Sequence, residues 1–85
     1  MPTTVNAPPI NWIGVDVSKD RLDVYDLSAE TYTSYCNDTD GINALSQALL
    51  QRPHLAVVCE ATGGYEASMA LRLDQLGLRV SVVNP

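Results

Sequence analysis

Basic residues are scarce in this sequence. Five lysines and arginines stand against ten aspartates and glutamates, giving a net charge of −5 and an isoelectric point near 4.4. That is the wrong sign for a domain that grips phosphates by charge alone, so nucleic-acid contact calls for metal ions or for basic segments elsewhere. Cysteine is sparse too. Cys36 and Cys59 are too few and too far apart for a disulfide scaffold or a four-ligand zinc site, and both are expected as reduced, packed thiols. The longest uncharged apolar run, Leu55 to Cys59, falls far short of the roughly 20 residues that a membrane-spanning helix needs. Residues 1–9 hold three prolines and lack a basic region followed by an apolar stretch. They are expected to form a loose tail and not a signal peptide, which makes the cytoplasm the expected compartment.

What is present is enough for one small domain. The chain has 85 residues, 46% of them hydrophobic, with a mean hydropathy of −0.01. Such a composition offsets ordering entropy by burial and supports a modest core. Ile10 to Ser18 is rich in β-branched and aromatic residues and predicts a buried strand. Leu22 to Leu27 alternates Leu22 and Val24 against Asp23 and Tyr25, the period of a half-exposed strand, and Thr31 to Cys36 is strand-prone as well. Lys19-Asp20-Arg21 and Ser28-Ala29-Glu30 supply the turns of an antiparallel meander.

The period then changes. Ile42, Leu45 and Leu49 recur at helical spacing behind the cap candidates Asp38, Thr39 and Asp40, and Pro53 stops that helix. Leu55 to Cys59 predicts a central strand covered on both faces. Met69, Leu73 and Leu76 predict a second helix, with Gly77 at a left-handed C-cap, and Arg79 to Val83 predicts a last strand. The order β-β-β-α-β-α-β with two right-handed crossovers gives a mixed α/β sheet, and strand order 3-2-1-4-5 if the fourth strand lies beside the first. That arrangement is the ribonuclease H-like fold. It holds Cys36 and Cys59 three strand steps apart, roughly 14 Å at ~4.8 Å per step, beyond disulfide reach.

Two carboxylates stand out. Asp16 lies between Val15 and Val17 in an apolar strand, where a charge is costly unless paired or metal-bound, and Glu60 ends the buried fourth strand ahead of a glycine-rich turn. Adjacent central strands bring them together as hard oxygen ligands for Mg²⁺ or Mn²⁺ in phosphoryl transfer. Equally, Asp16 can cap the Ser18 to Arg21 turn, and Glu60 can accept from backbone amides near Gly63. Thr62, Gly63 and Gly64 open a helix, where free amides suit a phosphate or simply make a tight turn. Ser18 and Lys19 follow Asp16 closely enough to touch a phosphate, though exposed turn chemistry explains them as well. Gly14 admits close approach of a ligand or marks a bulge. His54 has no Cys or His at ligand spacing, and Tyr25, Tyr32 and Tyr35 suit cross-strand packing better than base stacking.

Ile13-Gly14-Val15-Asp16-Val17-Ser18-Lys19-Asp20, Leu22-Asp23-Val24, Glu60-Ala61-Thr62-Gly63-Gly64-Tyr65-Glu66 and Val82-Val83-Asn84-Pro85 together resemble the N-terminus of the IS-one-ten family of insertion-sequence transposases. The match runs from Trp12 to Pro85. The resemblance implies residues 10–85 as the N-terminal part of a RuvC-like domain, truncated after the fifth strand. Asp16 and Glu60 then match the first two acids of an Asp-Glu-Asp-Asp metal site used in DNA transposition and recombination, with DNA and a guiding non-coding RNA as partners of the complete protein. The chain resembles a fragment or a remnant, inactive alone. Two other readings stand beside it. Actin-like ATPases and sugar kinases share the fold and open with a Gly-x-Asp strand, although Ser18-Lys19-Asp20 departs from the small residues of their phosphate turn. A non-catalytic pairing module, a homo-oligomer joined through the edge of the last strand, is the third.

Overall fold

The structure is a computed structural model that describes residues 9–85. The expected tail over residues 1–9 lies, but for Pro9, outside the described residues. The chain runs β1 (Asn11–Val17), β2 (Arg21–Asp26), β3 (Thr31–Cys36), α1 (Thr39–Leu50), β4 (Leu55–Glu60), α2 (Ala67–Gln75) and β5 (Arg79–Val83). All five strands join one mixed sheet in the order β3-β2-β1-β4-β5. The first three pair antiparallel, while β4 runs parallel to both β1 and β5. No helix among the described residues is long and apolar enough to cross a membrane.

Both helices cover the same face. Ile13, Val15 and Val17 of β1, Leu22 and Val24 of β2, and Val57 and Cys59 of β4 pack in one core with Ile42, Leu45 and Leu49 of α1 and Met69 and Leu73 of α2. Each fully buried Leu or Met in that layer contributes about 1.5–3 kcal/mol. The cause of the one-sided cover is topological. The β3-α1-β4 and β4-α2-β5 crossovers travel across the sheet in the same direction, so a common right-handed sense puts both helices on one side. The expected cover of β4 on both faces is therefore corrected: Val58 is only half-buried and Glu60 is exposed. Of the two cysteines, Cys59 is packed in the core and Cys36 is exposed on the edge strand; both are free thiols.

Local chemistry ends each element. Asp38 caps α1, its carboxylate accepting from the Gly41 amide at 2.7 Å. Gly41 is required by a close approach: a Cβ there would overlap the Cys36 carbonyl oxygen and lie 2.7 Å from its carbon. Helix α2 closes in a Schellman turn, with the amides of Gly77 and Leu78 donating to the carbonyls of Asp74 and Leu73 at 2.9 and 3.0 Å. At the pole where β1 begins, the buried Asp26 carboxylate pairs with Arg52 and accepts from the Ser28 and Ala29 amides at 3.1 and 3.0 Å. It ties the β2–β3 turn to the end of α1.

Gly41→Ala is expected to cost about 3 kcal/mol, because backbone, and no flexible side chain, must move; chemical denaturation measures it. The Arg52 hydrogen bond, with those from Ala29 and Ser28, holds the Asp26 carboxyl below the usual range. The stability it adds is full above the unfolded-state value of about 3.9 and drains as pH falls through the lower folded value. Asp26→Asn should lose roughly 2 kcal/mol at neutral pH, a modest figure because the Arg52 side chain keeps about a third of its surface in solvent, and the gap to wild type should narrow below about pH 4. Urea melts across that pH range read both effects.

Candidate functional site

The last residues of β1 and β4 define the site. These strands are parallel neighbours, with Val15 beside Cys59, so Asp16 and Glu60 come next in line. Their connections part company there: the chain leaves β1 for β2 on one side and leaves β4 through α2 for β5 on the other. Such divergence opens a crevice beyond the strand ends, where α/β sheets bind ligands.

Alternation along β1 turns Ile13, Val15 and Val17 into the core and leaves Trp12, Gly14 and Asp16 on the uncovered face. Asp16 is thus exposed despite its valine neighbours, which corrects the expectation of a costly buried charge. Neither structural alternative for the two acids occurs. The Ser18 turn is closed by its own amide to the Arg21 carbonyl at 2.9 Å, and the Arg21 amide donates to the Ser18 hydroxyl at 3.2 Å. Among the described residues, the carboxylates of Asp16 and Glu60 accept no hydrogen bond from either turn.

Asp16, Glu60 and Thr62 line one groove of about 440 Å³, together with Gly14, Asp23 and Tyr25. Asp23 is an acid that sequence reasoning missed. It sits directly opposite Asp16 across the β1–β2 pair and takes a hydrogen bond from the Ser34 hydroxyl. Like charges facing each other destabilise a sheet, and a cation relieves that repulsion. The signal was available, since a turn over Lys19 and Asp20 fixes the Asp16–Asp23 register. Arg21, two residues from Asp23, alternates onto the same face one row beyond the acids. Gly14 forms the floor. Its backbone is ordinary, and a Cβ there would meet nothing within 4 Å, so neither strain nor crowding requires a glycine that strands otherwise disfavour. Its missing side chain leaves the groove hollow. Tyr25 and Tyr32 pair across strands along one wall, with ring centroids 6.0 Å apart, while Tyr35 packs against the core instead.

The other expected contacts lie elsewhere. Ser18 is spent on its turn, and Lys19 and Gly64 line a separate cavity beside Asn37 and Tyr65. Gly63 and Gly64 both hold left-handed backbone that only glycine adopts freely. The amides of Thr62 and Gly64, proposed for a phosphate, already donate to one Glu66 carboxylate oxygen at 2.6 and 3.2 Å. Glu66 reaches back as an internal anion and fills that turn. Asn37, also missed, donates its side-chain amide to the carbonyls of Ser18 and Tyr65 at 2.9 and 3.0 Å, which joins the loops after β1 and β4.

The Thr62 amide is the main cause that holds the Glu66 carboxyl below its ordinary range. Its ordering of the turn should therefore persist at neutral pH and fade only as pH falls through that lowered value. In an NMR titration, the Thr62 and Gly64 amide resonances should move together with a midpoint under the usual glutamate value of about 4.3, and Glu66→Gln should abolish the step.

No family model and no curated protein matches this chain. Among solved structures it is similar to the Aquifex aeolicus member of the Ppx/GppA protein family, at 14% identity and a TM-score of 0.42, over 89% of this chain and 35% of that one. The chain thus spans about a third of that protein's length. These findings correct the resemblance to insertion-sequence transposases: none of them points to a transposase, to DNA transposition or to DNA recombination, and the solved structure they bring up is of another family.

Proposed function

We propose that this chain is a phosphate-binding module in which Asp16 and Glu60 hold a divalent cation, Mg²⁺ or Mn²⁺, that receives the phosphate. The reading rests on one observation: two carboxylates without hydrogen bonds among the described residues, one next to last in β1 and one last in β4, sit side by side where the connections of these parallel strands diverge. The donor set suits the ion. Mg²⁺ keeps several waters and takes one or two carboxylates plus the phosphate oxygens of its ligand, so a closed protein cage is not required. No three acids, histidines or cysteines among the described residues gather closely enough to hold a metal by themselves, so water and the ligand's own oxygens would have to complete the ion's shell.

When bound, the ion supplies the positive charge that an acidic groove lacks for phosphate. The chain's own residues do the rest. Asp23, held by the Ser34 hydroxyl opposite Asp16, adds negative charge to the groove, and Arg21 on the same face offers a fork of donors to a phosphate oxygen. Gly14 gives the ligand room. The meander followed by two crossovers, with strand order 3-2-1-4-5, supports placing the fold with the ribonuclease H-like group that actin-like ATPases and sugar kinases share.

Mn²⁺ added to ¹⁵N-labelled protein is expected to broaden the amides of Gly14, Asp16 and Glu60 first, with the effect lost in Asp16→Ala and Glu60→Ala. Pyrophosphate should then shift the same resonances only when Mg²⁺ is present. Gly14→Val should keep the fold and weaken the pyrophosphate response at least tenfold by filling the floor. Diffuse broadening that ignores both carboxylate variants would sink the proposal.

A further inference from the structure

The uncovered face of the sheet is an interaction surface, and we infer that its occupant is a second copy of this chain, packed face to face with strand directions reversed. The inference does not rest on the phosphate reading, although both use this face: the second copy covers the groove in the protein without ligand.

Six of the ten exposed large apolar side chains lie on this face. Trp12, Tyr25, Tyr32 and Val83 are set there by alternation and register, and Ile10 and Leu27 continue the alternation by one residue. Trp12 keeps 45% of its surface in solvent and Tyr32 keeps 65%. Large apolar side chains gathered on one bare sheet face mark a contact surface. No helix among the described residues competes for it, since α1 and α2 are committed to the opposite side.

Charge selects the occupant and its orientation. Arg79 begins β5 beside Ala56, and Glu60 ends β4 beside Val83. Both alternate onto the uncovered face, at opposite poles of adjacent strands. Two copies in the same strand sense would set carboxylates against carboxylates. Reversing one copy about a two-fold axis at the level of Val58 brings Arg79 of each towards Glu60 of the other, twice over, as a symmetric interface requires. The face measures about 24 Å by ~17 Å at the usual strand spacing and rise, or about 400 Å² per copy. That is below the ~1,200 Å² total of stable complexes, so the dimer is weak and concentration-dependent.

Sedimentation equilibrium of the full chain from ~10 µM to ~1 mM tests it. The average mass is expected to climb from 9.2 kDa towards twice that value. Trp12→Lys and Tyr32→Lys should each weaken association at least tenfold, while Leu71→Lys, on the exposed side of α2, should leave it unchanged. Arg79→Glu should weaken it too, and adding Glu60→Arg to that variant should recover most of the loss; circular dichroism checks that each variant folds. A mass that stays at 9.2 kDa at the highest concentration, or association indifferent to the face variants, overturns the proposal. So does a chain that remains monomeric yet binds a synthetic basic amphipathic helix through Trp12, which would give the face to a different partner.

Discussion

Everything in this fold hangs on the two-sidedness of β1. Ile13, Val15 and Val17 anchor the core on one side, while Trp12, Gly14 and Asp16 project from the other. A one-residue slip in its pairing would bury Asp16 under the helices and expose three core residues, so register is strongly enforced. Among the described residues, β1 is the strand that pairs antiparallel with one neighbour and parallel with the other. It therefore sets both where apolar surface is hidden and where acidic chemistry is displayed.

Stability and site chemistry occupy opposite poles. At the start of β1, Asp26 and Arg52 lock the hairpin to α1, and at its end Asp16, Asp23 and Glu60 line one groove without a paired cation among the described residues. The Asp26 carboxylate is buried and fully hydrogen-bonded, whereas Asp16 and Glu60 are exposed and Asp16 faces the like charge of Asp23. A fold assembled this way can tolerate an unfavourable cluster because its retention is carried elsewhere. Burial likewise pushes the Cys59 thiol up, so the core cysteine stays neutral and behaves as one more apolar side chain.

Much of the architecture was legible in the residues. Period two in Leu22 to Leu27 and period 3.6 behind Asp38 named the elements, and handedness with a short meander led to the strand order. Legibility failed where periodicity says nothing about layers. Leu55 to Cys59 has the look of a strand buried twice, but only the direction of both crossovers reveals that one side stays bare. Asp16 misled for the same reason: flanking valines in a strand point away from the residue between them. Asp23 became visible only through register, and Glu66 only through the reach of a side chain back over its own turn. The family resemblance rested on short motifs at matching distances, and the comparisons with known proteins do not bear it out.

Asn37 has a consequence of its own. Its single amide nitrogen serves two carbonyls, one in each loop beyond the paired strand ends, so those loops are latched to one another through two hydrogens on one atom. Spontaneous hydrolysis of that amide to a carboxylate would swap the donor for an oxygen facing two other oxygens. The latch would become a wedge, and the chemical ageing of one side chain would loosen both walls of the crevice at once.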